Sequence, residues 1–319
     1  MITIAGLGIS GSYLLKRLKN SGFDVRGYDP KPPGYYLPCG YAVNIHELAP
    51  LLEEANLSAR DYLLSEAESI TIGTESGGEY VFQSRGLCTI DKNRLENDMV
   101  AETGFTRETA PANGDIIVDA TGVSRYYLGK TPEDFTMYAR ELVTTESGHD
   151  DFYFRYFPDG KGYYWEFPLG DRYHVGVGTS DFKYLDKYLA NRPRERITGR
   201  KIRLKPLPGS AVRGNIVGIG EAVGTVSPIT GEGIIPSLKS AEILYQCLNR
   251  NDDREEAFRA YMKAMQKTFS RYMKLYSLLM NFRSGRKGLG NVRYLPAAVE
   301  DIRSFGIDFR MTKVISEFL

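Results

Sequence analysis

Gly6, Gly8 and Gly11 form a G-x-G-x-x-G run near the start of the chain, and an acid, Asp29, ends the next apolar segment. These residue types at this spacing can hold a dinucleotide. Gly6 permits a tight turn, Gly8 lets a pyrophosphate approach bare backbone, and Gly11 lets a helix lie close to a strand. Asp29 can accept hydrogen bonds from a ribose diol. Glycines of this pattern serve NAD and FAD alike; a position at the head of the chain leans toward FAD. A second cluster, Glu221, Gly224, Pro228, Gly231 and Gly233, clears side chains from backbone on which a flat ring could rest. A helix beginning near Ile234 would point its partly positive amino end at that ring. That sign suits the charge a reduced flavin carries near N1 and the C2 carbonyl. Cys39, before Gly40 in a loop, reads on its own as a small buried hydrophobe. His46 and His174 read as structural.

These groups need elements to position them. "ITIAGLGISGSYLLKRLKNSGFDVRGYDP" reads as strand, glycine turn, helix and strand. Ile2, Ile4 and Ala5 make the first strand, Leu14, Leu15 and Leu18 carry the helical spacing, and "FDVRGYD" returns as a strand. "NIVGIG" is a second short buried strand, leading into the later glycines, with Pro236 in the first turn of the helix that follows. Residues 151–178 carry two turn signals, "PDGKG" and "PLGDR", between three aromatic-rich runs, which predicts a three-stranded meander. On its middle strand Tyr163, Trp165 and Phe167 share one face and Tyr164 and Glu166 the other. On the third strand Tyr173, Val175 and Val177 oppose a thin face of His174, Gly176 and Gly178. A broad aromatic face beside a thin glycine face suits the wall of an elongated apolar pocket. The same residues also suit plain core packing.

Residues 254–283 are expected to form one amphipathic helix, with Phe258, Tyr261, Met262, Met265, Phe269, Met273, Tyr276 and Leu279 at helical spacing and a basic opposite face. Packing on the body and lying on a bilayer surface both fit that pattern. The expected organisation is 1–130 and 206–250 as the two parts of a nucleotide domain, 131–205 as an inserted aromatic sheet, and 251–319 as a helical end.

Composition narrows the function classes. A formal net charge of +1 over 319 residues gives no global field to attract nucleic acid. Cys39, Cys88 and Cys247 form no paired framework and no C-x-x-C, and the three histidines are scattered, so no zinc or other metal site is expected. The cysteine usage fits a reducing, cytoplasmic compartment. No apolar run is long enough to span a bilayer, and the opening "MITIAGLG" has no secretory leader pattern.

Several segments together resemble the geranylgeranyl reductase family within the FAD-dependent hydroxylase-like superfamily. "GLGISGS" (with Ser10) matches its opening, and "GEAVGTVSPITGEGI" is similar to its G-D-A-A-G-x-x-x-P-x-x-G-E-G-I. "YYWEFPLGDRYHVGVG" is similar to its Y-x-W-x-F-P followed by a V-G-x-G strand. "YLPCGYAV" resembles the P-x-x-C-G segment beside the flavin, and "DIIVDATG", with Ala120, Thr121 and Gly122, the strand and D-A-T-G at the FAD. The matches cover most of residues 1–245. Departures are Glu221 for a usual Asp, Lys92 for a common Arg, Asp29 for a usual Glu, and a short stretch from Met99 to Asp115.

The resemblance implies an α/β fold: a Rossmann-like FAD-binding domain, an inserted antiparallel β-sheet substrate domain and a C-terminal helical segment. It implies FAD as cofactor and an isoprenoid or lipid substrate, such as geranylgeranyl groups, bordered by Tyr163, Trp165, Phe167, Pro168, Gly176 and Gly178. Cys39 would then lie near the flavin ring, in reach of substrate or proton delivery. Reduction of a carbon–carbon double bond is the implied reaction, with NAD(P)H, ferredoxin or a deazaflavin as electron donor. A flavin monooxygenase or dehydrogenase, and a flavin or lipid carrier without chemistry, stand as alternatives. The expected location is the cytoplasm, at the inner face of the membrane where the amphipathic helix docks.

Overall fold

The structure, a computed structural model, describes residues 1–32, 34–75, 77–131, 134–286 and 288–309. The strand–helix–strand pattern at the amino end builds a six-stranded sheet. Its order is Val212–Arg213, Ile216–Gly218, Ile116–Asp119, Ile2–Ala5, Val25–Tyr28 and Phe105–Thr106. The Val212–Arg213 edge is antiparallel and every other pairing is parallel. Parallel strands are covered on both faces and read as apolar runs; all four residues of Ile2–Ala5 are buried. The helices Ile9–Asn20 and Ile234–Arg250 pack on each other, and their Leu14, Leu15, Leu18, Leu238, Ala241 and Leu244 lie fully buried in one core.

Register is what makes this sheet a platform. Ala5 pairs with Tyr28 and with Asp119, and Asp119 pairs with Gly218, so four strands end on one line. The segments starting at Gly6, Asp29, Ala120 and Ile219 therefore leave the sheet side by side at its carboxyl edge, where open α/β sheets take their ligands.

The aromatic meander lies in a seven-stranded sheet, in the order Arg196–Arg203, Thr136–Thr144, Tyr173–Thr179, Gly162–Pro168, Phe152–Tyr156, Ser69–Thr74 and Glu79–Gln83. The last two strands come from the stretch assigned to the nucleotide half: Ser69–Thr74 pairs in parallel with Phe152–Tyr156. Pairing between segments so far apart in the chain leaves no local signal, so the sheet is wider than residues 131–205. A small third sheet joins Ala42–Asn44, Leu87–Ile90 and Leu63–Glu66.

The expected long helix over 254–283 is two helices, Arg254–Thr268 and Ser270–Arg283, broken at Phe269, whose ψ of 11° leaves helical geometry. The break resets the helical phase and leaves Met273 44% exposed, off the face its spacing suggested. Phe258, Tyr261, Met265, Phe269 and Tyr272 bury in the main core. A further helix, Leu295–Ser304, leads to Phe305, Ile307 and Phe309, which pack with Phe82, Phe154 and Phe167 over the large sheet. Among the described residues no helix is long and apolar enough to cross a membrane.

Candidate functional site

Both sheets and the C-terminal helices wall a cavity of about 2080 Å³. A pocket for one drug-sized molecule needs roughly 300–1,000 Å³, so this one has room for a large cofactor and a second molecule. On its wall stand Gly6, Gly8, Ser10, Asp29, Lys92, Ala120, Thr121, Gly122 and Glu221. Cys39, Gly40, Pro228, Gly231, Gly233 and Ile234 also line it, as do Tyr163, Trp165, Phe167 and Gly178. Gly11, Gly224, Pro168 and Gly176 lie off the wall. Each has a neighbour in its place: a Cβ on Gly11 would sit 2.0 Å from the Gly6 carbonyl oxygen, and one on Gly224 2.2 Å from that of Lys205. Pro168 gives its carbonyl to the Thr89 hydroxyl at 2.6 Å.

The glycine turn is steric in origin. Gly6 has φ +90°, and a Cβ there would meet the Ala120 carbonyl oxygen at 2.6 Å. The turn thus lies directly on the D-A-T-G segment. Asp119, fully buried, fixes that segment: Oδ1 accepts the Thr121 N–H and hydroxyl, and Oδ2 accepts the N–H groups of Tyr127 and Leu128. Asp29 Oδ2 accepts the Leu7 N–H at 2.7 Å and pairs with Lys31 Nζ at 3.0 Å. The acid therefore braces the glycine turn as well as facing the cavity.

The donor set fits an anionic, flat cofactor. The helix Ile9–Asn20 starts at Gly8 with no side-chain cap and no acid in its first turn. Its first amides, on the cavity wall at Ile9 and Ser10, have no intrahelical acceptor. Three buried or half-buried cations share the wall: Lys31, paired with Asp29, Lys92, paired with Glu96 at 2.7 Å, and Arg200, paired with Glu221. The second helix, Ile234–Arg250, differs. Its Ile235 N–H is taken by Glu232 Oε1 at 2.8 Å, and burial pushes the Glu232 carboxyl up to about 8. The amino end is thus covered by a group that stays neutral near neutral pH.

The aromatic wall answers to register. Trp165 pairs across the sheet with Gly176, and a Cβ on Gly176 would lie 2.1 Å from the indole Cζ2. The thin glycine face is the seat of the indole, which is why Gly176 does not reach the cavity. Gly40 lies close to the same pair, with Trp165 Nε1 3.3 Å from where its Cβ would be and Phe167 closer still. Tyr163 donates its hydroxyl to the Thr230 carbonyl at 2.6 Å, tying the aromatic strand to the second glycine cluster. Burial pushes the Cys39 thiol above its ordinary value of 9.0, so it stays neutral.

Some wall residues carried no motif. Phe305, Ile307 and Phe309 arrive from the end of the chain. Glu141 and Arg200 come from the strands Thr136–Thr144 and Arg196–Arg203, which carry no motif. One signal was available: Glu141 alternates with Met137 and Ala139 on one face of Thr136–Thr144, a lone acid in an apolar row.

A parallel sheet with glycine-wrapped amides at its carboxyl edge, opening into an apolar cavity under a second sheet, defines a flavin-dependent oxidoreductase. Comparison with known proteins agrees. Residues 88–285 match the tryptophan halogenase family, and the chain belongs to that family of FAD-dependent oxidoreductases. It is 27% identical to the digeranylgeranylglycerophospholipid reductase of Sulfolobus acidocaldarius, over 73% of this chain and 65% of that one, just under two thirds of its length. It is 24% identical to an uncharacterised protein of Methanocaldococcus jannaschii, over 88% of this chain and 92% of the relative. Among solved structures it resembles a geranylgeranyl bacteriochlorophyll reductase-like protein of Thermoplasma acidophilum, with a TM-score of 0.72 at 16% identity, covering 100% of this chain and 98% of the other.

Proposed function

We propose that the protein reduces carbon–carbon double bonds of isoprenoid chains, of the geranylgeranyl type, carried on a lipid. The observation that carries this reading is the continuity of one cavity: the glycine-wrapped, cation-bearing wall runs without a partition into a wall of Tyr163, Trp165, Phe167, Phe154, Leu279 and Phe305. An isoprenoid asks for dispersion contacts and no hydrogen bonds. The relatives named as digeranylgeranylglycerophospholipid reductases support the choice of substrate class.

When bound, FAD supplies a hydride from N5 of its reduced form. The residues of this chain do the rest. The amides following Gly8, together with Lys92, would hold the pyrophosphate, and Asp29 would take the adenosine ribose. Thr121, Gly122 and Glu221 would hold the ribityl chain, and Cys39, Gly40, Pro228, Gly231 and Gly233 would hold the ring. The aromatic wall positions the alkene and excludes water, which converts an encounter between two molecules into a unimolecular step. The lipid end of the site lies near Val292, which lines the cavity yet is 42% exposed, and Leu289, 79% exposed. These side chains form the peripheral membrane contact in this reading.

The test is anaerobic. The flavin of the purified protein is photoreduced, geranylgeranyl lipids are added, and flavin reoxidation is followed together with lipid mass. Reoxidation with a gain of two hydrogens per double bond is the expected result. Reoxidation only after oxygen is admitted, with a hydroxylated product, replaces this reading with a monooxygenase, and no electron transfer to any acceptor replaces it with a carrier.

A further inference from the structure

We propose that Glu141 is the acid that delivers the proton to the substrate alkene in this cavity, and that the Tyr36 hydroxyl restores it from solvent. The inference rests on the reading of the site as an alkene reductase and supplies the group which that reading leaves unassigned.

Four observations place the acid. Glu141 lies on the cavity wall, on the same strand face as Met137 and Ala139. Its cross-strand partner is Gly176, the residue under the Trp165 indole, so the carboxyl stands in the row that forms the aromatic wall. It is 1% exposed, and its Oε2 has no hydrogen-bond partner among the described residues. Its Oε1 accepts the Tyr36 hydroxyl at 2.8 Å, and the backbone N–H of Cys39 also donates to the carboxyl. A buried carboxyl oxygen without a partner is costly as an anion and cheap as a neutral acid.

The surroundings keep it protonated. From the strand Tyr173–Thr179, His174 faces it with Nε2 3.6 Å from Oε1, but burial drives that imidazole down to about 3, so it brings no charge at neutral pH. From the loop before the third sheet come Tyr36, Cys39 and Tyr41, all held neutral by burial. The cation whose charge acts on it is Lys92, which has its own carboxylate, Glu96, at 2.7 Å. From the strand Arg196–Arg203, Arg200 is engaged by Glu221, and Arg196 lies over the Tyr36 ring at 4.5 Å. Burial therefore wins and pushes Glu141 up to about 8.

The step balances. The alkene π bond breaks. One carbon takes a hydride, supplied by the reduced flavin of the proposed reaction, the other takes the Glu141 proton, and two C–H bonds form. Glu141 is left as a carboxylate with the Tyr36 hydroxyl donating to it. Tyr36 passes its proton on and regains one from water; the residue is half-buried, with exposed Arg196 over its ring. His174 Nε2, 2.9 Å from the Tyr36 oxygen, holds that hydroxyl in line.

Two measurements test this. The first uses flavin-free protein: the infrared absorption of protonated carboxyl groups is titrated from mildly acidic to alkaline pH in wild type and Glu141→Gln. The expected difference between them is one carboxyl band lost near pH 8; Glu232, which titrates in the same range, is common to both proteins. No difference between the two, or a difference confined to the ordinary carboxyl range, overturns the inference. The second uses photoreduced holoenzyme in single turnover with geranylgeranyl lipid. Glu141→Gln is expected to slow alkene reduction by about 10²–10⁴-fold with flavin content unchanged, the usual contribution of a general acid. Tyr36→Phe, which keeps the carboxyl, is expected to spare the first turnover and slow later ones. A Glu141→Gln enzyme at wild-type rate overturns the inference and leaves the reductase reading standing. A wild-type enzyme that reduces no isoprenoid overturns the reading itself and the inference with it.

Discussion

Glu141 and Glu166 belong to one sheet, are each 1% exposed, and face opposite ways. The register explains the opposition. Glu141, Gly176 and Trp165 form one cross-strand row, and Leu142, Val175 and Glu166 form the next, which points to the other face. On the outer face Glu166 gathers the Gly148 N–H at 2.7 Å, Arg192 Nη2 at 2.8 Å, His149 Nδ1 at 3.2 Å, and the hydroxyls of Ser147 and Tyr164. Burial alone would raise its pKa. The hydrogen bonds from Ser147 and Tyr164, with the Arg192 charge, overcome that and bring it to about 2. On the cavity face Glu141 has Tyr36 and one backbone N–H, and burial prevails. Equally small solvent exposure thus goes with opposite charge states: Glu166 has more donors and the Arg192 charge, and Glu141 bears the heavier desolvation. A satisfied carboxylate braces a sheet; an under-satisfied carboxyl keeps a proton it can give away.

The comparison can be broken by identical substitutions. Glu166→Gln removes the acceptor of several charge-assisted hydrogen bonds and should cost about 3 kcal/mol of unfolding free energy at neutral pH. Glu141→Gln replaces a neutral acid by a neutral amide: below about pH 4.5, where folded and unfolded chains both hold the proton, it should change stability by less than about 1 kcal/mol, and at neutral pH it should cost nothing. Equal losses in denaturant titrations would end the distinction. The wall the two faces share is tested next. Gly176→Ala puts a Cβ into the indole and should cost about 2 kcal/mol, with a shifted emission from Trp165, the chain's single tryptophan. Gly178→Ala, whose Cβ would be 3.6 Å from the same ring, should stay within about 0.5 kcal/mol.

A pH series sharpens the contrast. Glu141 and Glu232 have folded values of about 8 and Asp301 about 6, all raised by burial above the ordinary 4.5 and 3.8. Between those limits the folded protein holds protons that the unfolded chain has released. Their stabilisation is complete below the ordinary range and is lost as pH rises through the folded values. Each such group contributes a fall of about 1.4 kcal/mol per pH unit while it is active. Flavin-free protein should therefore be more stable in mild acid than at pH 8, and Glu141→Gln should flatten the slope by one group's share. Glu166 acts in the other direction: its contribution is present above 4.5 and disappears as pH falls through about 2.

Legibility in the sequence divided along similar lines. The turn at Gly6, the helices starting at Ile9 and Ile234, and the alternation of Tyr163, Trp165 and Phe167 were readable because backbone sterics and the periods of helix and strand act over a few residues. The helix break at Phe269 was not, because Phe258 through Leu279 keep apolar spacing across it. The thin face of Gly176 and Gly178 was legible as thin, yet its occupant was the neighbouring strand's indole and not a ligand.

By itself, then, the sequence determined a glycine-wrapped nucleotide crevice, an aromatic strand and the helix amino ends, since each depends on short-range geometry. Only the tertiary structure decided that Ser69–Thr74 widens the sheet, that Phe305 to Phe309 close over it, and that Glu141 and not Glu166 faces the cavity. Those outcomes depend on strand register and on how many donors reach a buried oxygen. Both are set by segments far apart in the chain, and no local pattern carries them.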